Sequence, residues 1–172
     1  ALPAGTEALV VLVVNAAQTE AALFGEKGAA SRLAPGAVII SSATMAPDAA
    51  RALAARAEAA GFLYLDAPVS GEMTVMASGS EAAFAAAQPV LDAIATKVWT
   101  LGSEVGIGAT VKVVHQLLAG VHIAAAAEAM ALGIRAGAEP QALYDVITSA
   151  AGNSWMFENR MARVLTGDDA PR

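Results

Sequence analysis

No cysteine occurs in the 172 residues. That removes disulfides, thiolate metal sites and a cysteine nucleophile together. Charge is scarce too: 15% of residues are charged against 56% hydrophobic, with mean hydropathy +0.55. Such a chain has too much to bury to stay disordered. The ten Lys and Arg side chains form no stripe and are outnumbered by sixteen acids, for a net charge of −6. Nucleic acid is therefore excluded as a partner. Long apolar spans are also lacking. The longest uncharged helical stretch, Val113 to Ala127, is too short to cross a bilayer and carries His115, Gln116 and His122. The apolar excess is mostly alanine, which points to closely packed helices rather than a membrane. No secretory signal pattern opens the chain. A soluble cytoplasmic protein with no membrane partner is the expectation.

What is present first is strand and helix in alternation. Ala8–Val14 is uniformly apolar and reads as a strand covered on both faces, as in a parallel sheet between helices. Further strands are predicted over Ala37–Ser41, Phe62–Asp66, Met73–Ala77 and Lys97–Leu101, with a turn at Ala34-Pro35-Gly36. Helices are predicted over Thr19–Phe24, over Pro47–Ala60 with Gly61 as its stop, and from Glu81 to Ile94 with a break at Pro89. This order is that of an open α/β sheet. From Gly106 onward no strand is predicted. A helix to about Ala136 would be roughly 45 Å long, too long for a small α/β unit. Shorter helices follow over Gln141–Ala151 and Trp155–Leu165. The boundary is placed near residue 104, giving domains 1–104 and 105–172. The first strand suits a sheet centre, yet no later strand is available to flank it on both sides.

Ligands of open α/β sheets bind beyond the carboxyl ends of the strands. Three such loops carry polar groups: Asn15 and Gln18, Ser41 to Thr44, and Ser70-Gly71. Ordinary turn chemistry explains each singly. Asp66 would satisfy loop backbone. Lys112 stands out, because it is the one charged side chain between Val105 and Ala127. Either it runs its stem along the helix to water, or an anion or a reaction needs it there. Gln116 shares its helix face. His115 and His122 are read as core or interface residues, with no third metal ligand in view. Asn153-Ser154 fits a helix N-cap.

With these residues collected, the chain resembles the β-hydroxyacid dehydrogenases, the 3-hydroxyisobutyrate dehydrogenase-like family. Asp66-Ala67-Pro68-Val69-Ser70-Gly71 matches its substrate loop. Gly106-x-Gly108-x-x-x-Lys112-x-x-x-Gln116 matches its catalytic motif, with Gln in place of Asn, and Thr44-Met45-Ala46-Pro47 is similar to its cofactor loop. The resemblance implies a partial Rossmann-type, mostly parallel sheet followed by an all-helical domain led by a long interdomain helix. It implies NAD as cofactor, with NADP open, a small hydroxy acid as substrate, and a homo-oligomer. Lys112 becomes the acid–base group. Ser70, Gly71, Gln116 and Asn153 become substrate contacts, and Val14, Asn15, Thr44 and Gly108 cofactor contacts. The stretches 115–125 and 151–160 resemble the branch that oxidises L-threonate at C2 to 2-oxo-tetronate. Dehydrogenases or reductases of the 3-hydroxyisobutyrate or tartronate-semialdehyde type are the alternative, as is a truncated, non-catalytic assembly module.

The departures from that pattern are specific. The opening strand and its Gly-x-Gly-x-x-Gly turn, which seats the pyrophosphate at a helix N-terminus, are absent. So is the residue that tells NAD from NADP, along with the C-terminal helices. Ser70-Gly71 runs directly into Glu72-Met73, where the family carries a glycine-rich loop of about eight more residues, a common site for length change.

Overall fold

The structure is a computed structural model and describes residues 2–168. The chain divides into two compact units, Ala1–Val114 and His115–Arg172.

In the first unit, β1 (Thr6–Val11), β2 (Leu33–Ser41) and β3 (Leu63–Asp66) form a parallel sheet in that order. A second group joins β4 (Val69–Ser70) antiparallel to β5 (Thr74–Ala77), and β5 parallel to β6 (Lys97–Thr100). The groups meet at one antiparallel bridge. Asp66 N donates to Ser78 O at 3.0 Å, and Ser78 N donates to Asp66 O at 2.8 Å.

Both faces of β2 from Ala37 onward and of β3 from Tyr64 onward are buried, which is why these stretches lack polar alternation. Ile39 and Tyr64 pack with Leu53, Ala54 and Ala57 of α2 (Pro47–Ala59) and with Leu23 of α1 (Ala16–Phe24). Val38, Ile40 and Leu65 face the other way, onto Ala83, Ala87 and Leu91 of α3 (Glu81–Ile94).

Four details differ from the sequence expectation. Strand β1 stops at Val11, leaving Leu12 and Val14 exposed, and among the described residues it pairs only with β2. That single neighbour agrees with the lack of a later strand to flank it on both sides. Ala34-Pro35-Gly36 joins β2 rather than forming a separate turn, through a register irregularity opposite Thr6–Ala8. Helix α3 runs unbroken through Pro89, whose missing N–H leaves the Ala85 carbonyl on an exposed face where water can bond it. An additional two-residue strand, β4, holds Ser70.

Helix α4 (Ile107–Arg135) has 29 residues, about 43 Å at the usual rise. By length and composition it is long enough to cross a membrane, which corrects the estimate made from Val113–Ala127. In the second unit, Ala126 and Met130 of α4 pack with Phe157 and Met161 of α6 (Trp155–Thr166) and with Leu143, Tyr144 and Ile147 of α5 (Pro140–Thr148). Tyr144 and Phe157 stack at 5.9 Å, and the Tyr144 hydroxyl donates to Glu158 O. No strand follows Thr100 among the described residues.

Candidate active site

The carboxyl ends of β1, β2 and β3 are level, with Val11 opposite Ser41 and Ser41 opposite Asp66. The loops that follow therefore leave one edge of the sheet. After β1, Asn15 caps α1 by accepting from Gln18 N at 3.0 Å, and Gln18 Oε1 accepts from Val14 N at 3.0 Å. Val14 itself is exposed. After β2, Ser42 N donates to Val11 O at 2.9 Å, and half-buried Thr44 leads into Pro47 at the start of α2.

After β3 the chain passes through Ala67-Pro68 into β4, where Ser70 pairs with Thr74. The bend between them is Gly71-Glu72-Met73. Gly71 has φ +54° and Met73 has φ +59°, the latter a region that side chains with a Cβ rarely enter.

Asp66 ends β3 at 1% exposure, and its Oδ2 collects three donors. Gly106 N donates at 3.0 Å, Ala109 N at 2.8 Å, and the Ser78 hydroxyl at 3.4 Å. Ser78 Oγ in turn accepts from Gly108 N at 2.9 Å. The opening N–H groups of a helix lack intrahelical partners. Here one carboxylate and one hydroxyl take three of them. Glycine at 108 is dictated by proximity, since a Cβ there would lie 2.4 Å from Met76 O and 2.9 Å from Asp66 O. Burial pushes the Asp66 carboxyl up from its ordinary value. The Ala109 and Gly106 N–H groups, the Ser78 hydroxyl and the Arg51 charge oppose that without cancelling it.

Lys112 lies one turn further along α4, three residues after Ala109, which is itself buried. It is 6% exposed, and no ion pair among the described residues involves it. Burial holds its ammonium below the usual 10.5. The snorkelling alternative predicts a more exposed residue than is found here.

In the second unit, Gln116 is exposed, and its Oε1 lies 3.1 Å from Nδ1 of half-buried His115. Ser154 caps α6 by accepting from Phe157 N, as its position suggests. Asn153 Nδ2 donates to Thr148 O at 3.2 Å, while its Oδ1 is buried without a partner. Asn153 borders a cavity of about 270 Å³ with His122, Ser154 and Phe157.

The structure brings Asp66, Gly106, Gly108 and the buried Lys112 into one short segment of the first unit, and it adds Ser78, which the sequence reading passed over. The signal for Ser78 was indirect: two glycines two residues apart at a helix start imply close backbone approach, but not what approaches. Gly108, expected at the cofactor, has its N–H committed to Ser78 and its Cα against Met76 O.

Comparison with known proteins places the chain in a family. Residues 2–102 match the family described as the NAD binding domain of 6-phosphogluconate dehydrogenase. Residues 106–172 match the NAD-binding domain of NADP-dependent 3-hydroxyisobutyrate dehydrogenase, which takes in all of α4. The chain is 57% identical to an L-threonate dehydrogenase of Haemophilus influenzae over 96% of its own length and 58% of that protein's. It is 32% identical to a 2-(hydroxymethyl)glutarate dehydrogenase of Eubacterium barkeri, covering 97% of this chain and 58% of the other. A crystal structure from Salmonella typhimurium described as 3-hydroxyisobutyrate dehydrogenase superposes with a TM-score of 0.91 at 55% identity, over 96% of this chain and 60% of that one. The chain thus spans somewhat under two thirds of the length of the curated relatives it matches. The Haemophilus alignment runs over 173 positions while taking in 96% of the 172 residues, so at about eight positions the relative carries residues absent here. In sequence and in fold, the chain belongs to the NAD(P)-dependent β-hydroxyacid dehydrogenase family.

Proposed function

We propose that this chain is part of an NAD-dependent dehydrogenase that oxidises the C2 hydroxyl of L-threonate to 2-oxo-tetronate, with Lys112 as the acid–base group. The observation that carries this reading is the burial of Lys112: one cation, 6% exposed, on a helix whose first turn is tied to the end of a strand. Oxidation of a secondary alcohol needs a group to accept the hydroxyl proton. A lysine whose charged form is disfavoured by burial is closer to that task at neutral pH than a free one. Protonated, it stabilises the developing alkoxide. The Ser70 hydroxyl and the Gly71 backbone would grip the substrate carboxylate. Gln116 and Asn153 are proposed substrate contacts on the strength of the motifs in which they stand.

The level strand ends, with Val14 exposed and Asn15 and Thr44 in the loops beyond, fit the nicotinamide end of a dinucleotide. When bound, the cofactor supplies the hydride acceptor. No glycine-rich turn for the pyrophosphate stands in this sequence, so no residue is assigned to the phosphates. The domain boundary is proposed near residue 104 and the location as cytoplasmic. The exposed Leu117, Leu118 and Val121 of α4 support a homo-oligomer.

A second reading, a 3-hydroxyisobutyrate dehydrogenase, is favoured by the name of the Salmonella structure. The test is NAD reduction with threonate, 3-hydroxyisobutyrate and glycerate in parallel. Threonate is expected to turn over fastest, and faster 3-hydroxyisobutyrate turnover transfers the assignment. Lys112→Ala is expected to lower turnover on the order of 100- to 10,000-fold, and normal activity in that variant refutes the lysine's role. Absence of NAD binding in a fluorescence titration of the polypeptide favours a non-catalytic module.

A further inference from the structure

A carboxylate at 1% exposure needs compensation, and the way Asp66 obtains it sets α4 apart. Helices α1, α3, α5 and α6 are each capped locally, by Asn15, Ser80, Glu139 and Ser154 accepting from an N–H three residues on. Helix α2 opens instead on Pro47. The caps of α4 come from 30 to 43 residues upstream, from Asp66 and Ser78, which are themselves paired through their backbones. A local cap fixes a helix only to its own entry loop. A remote cap fixes it to the sheet.

The attachment is tight. Three donors converge within 3.0 Å of their acceptors, and Gly108 leaves no room for a Cβ. Within the first unit, Lys112 is one helical turn from this anchor, three residues from Ala109 and four from Gly108. Residues at those spacings share a helix face. Any shift of the first turn moves the lysine and opens a path for water.

We propose that Asp66, acting with Ser78, is a positioning residue for Lys112: it locks the first turn of α4 onto the end of β3 and so fixes where the lysine stands and keeps the residue buried. The inference rests on Lys112 being the acid–base group. It adds a carboxylate that touches neither substrate nor cofactor and works through the helix it holds.

The experiment compares Asp66→Ala, Asp66→Asn and Ser78→Ala in the intact polypeptide by steady-state kinetics and by NMR titration of labelled lysine Nζ. The chain has only three lysines, Lys27, Lys97 and Lys112, so the signals are assignable. Asp66→Ala is expected to lower kcat on the order of 100-fold, the scale of an ångström-level misplacement, with a smaller change in KM for the cofactor. Its Lys112 titration should move up toward the ordinary lysine range. Asp66→Asn keeps an acceptor oxygen for Gly106 and Ala109 and should restore both readouts. If Asp66→Ala does not fold, Ser78→Ala, which removes the Gly108 bond and the longer bond to Asp66 but leaves the Gly106 and Ala109 bonds in place, should move both readouts the same way, with kcat down about 10-fold.

The proposal is overturned if Asp66→Ala or Ser78→Ala loses stability while kcat and the Lys112 titration stay as in the parent. It also falls if Asp66→Asn is as impaired as Asp66→Ala, because charge rather than attachment would then carry the effect. Normal turnover in Lys112→Ala would remove the functional reading and leave the titration result standing, so the two failures are distinguishable.

Discussion

Gly108→Ala puts a methyl group where the backbone already is. Its Cβ would sit 2.4 Å from Met76 O, 2.9 Å from Asp66 O and 3.1 Å from Asp66 Oδ2. None of the three can swing aside as the end of a long side chain would. Restoring an ordinary contact of 3.4 Å with Met76 O requires about 1 Å of movement between α4 and the strand ends. A displacement of that size stretches the Gly108–Ser78 bond from 2.9 Å, and the Ala109–Asp66 bond from 2.8 Å, beyond bonding range. Two buried acceptors are then left short, one of them a carboxylate. At about 1–3 kcal/mol each, the loss is about 2–6 kcal/mol of stability. Lys112 moves with the helix, and turnover is expected to fall on the order of 100-fold. Urea unfolding and steady-state kinetics on the same preparation read both effects. A Gly108→Ala protein with parental midpoint and parental kcat would refute the close packing of α4 on β3 and β5.

Three further outcomes are expected. Burial lowers the Lys112 pKa, so between the lowered value and 10.5 the unfolded chain binds more protons than the folded one, and stability rises with pH through that window. Lys112→Met should flatten this rise in denaturation curves taken across the window, and parallel pH profiles would contradict it. The Tyr64 hydroxyl is buried, and among the described residues it makes no hydrogen bond of good geometry; its pKa is pushed up to about 12, chiefly by burial, with the nearby Ser41 hydroxyl opposing the rise. Tyr64→Phe should therefore hold stability level or raise it by up to about 1 kcal/mol, and a clear drop in calorimetric Tm would show that the hydroxyl is bonded. Phe157 is 3% exposed at the centre of the helical unit. Phe157→Ala should cost about 3–5 kcal/mol in chemical denaturation, and a loss under 1 kcal/mol would show that this cluster is not the core.

The interior strands and the helix ends were legible in the sequence because their causes are local. Val38 to Ile40 is apolar without alternation, and both sides are covered. Pro47 opens α2, and Gly61, at φ +83°, follows its end. Ser154 marks the start of α6. Where the reading failed, the deciding partner was distant or was solvent. Proline at 89 forecast a break, but the carbonyl it orphans lies on an exposed face. The site divides in the same way. Lys112 was legible as an isolated cation. Its anchor was not, because no spacing rule links Asp66 to Gly106 or Ser78 to Gly108 across 30 and more residues. The glycines recorded that something comes close, and only the fold shows that it is the Met76 and Asp66 carbonyls at Gly108 and the Arg51 guanidinium at Gly106.

The bend at residues 71–73 carries a consequence for chain length. Met73 sits at φ +59°, where a side chain is strained by about 1–3 kcal/mol, while the space around the neighbouring Gly71 is open. Three residues are being asked to turn a strand back on itself with no slack. Extra residues spliced between Gly71 and Met73 would let the methionine relax into an ordinary conformation and would project outward without disturbing the Ser70–Thr74 pair. A segment under tension and facing open space is the place in this molecule most receptive to a longer loop.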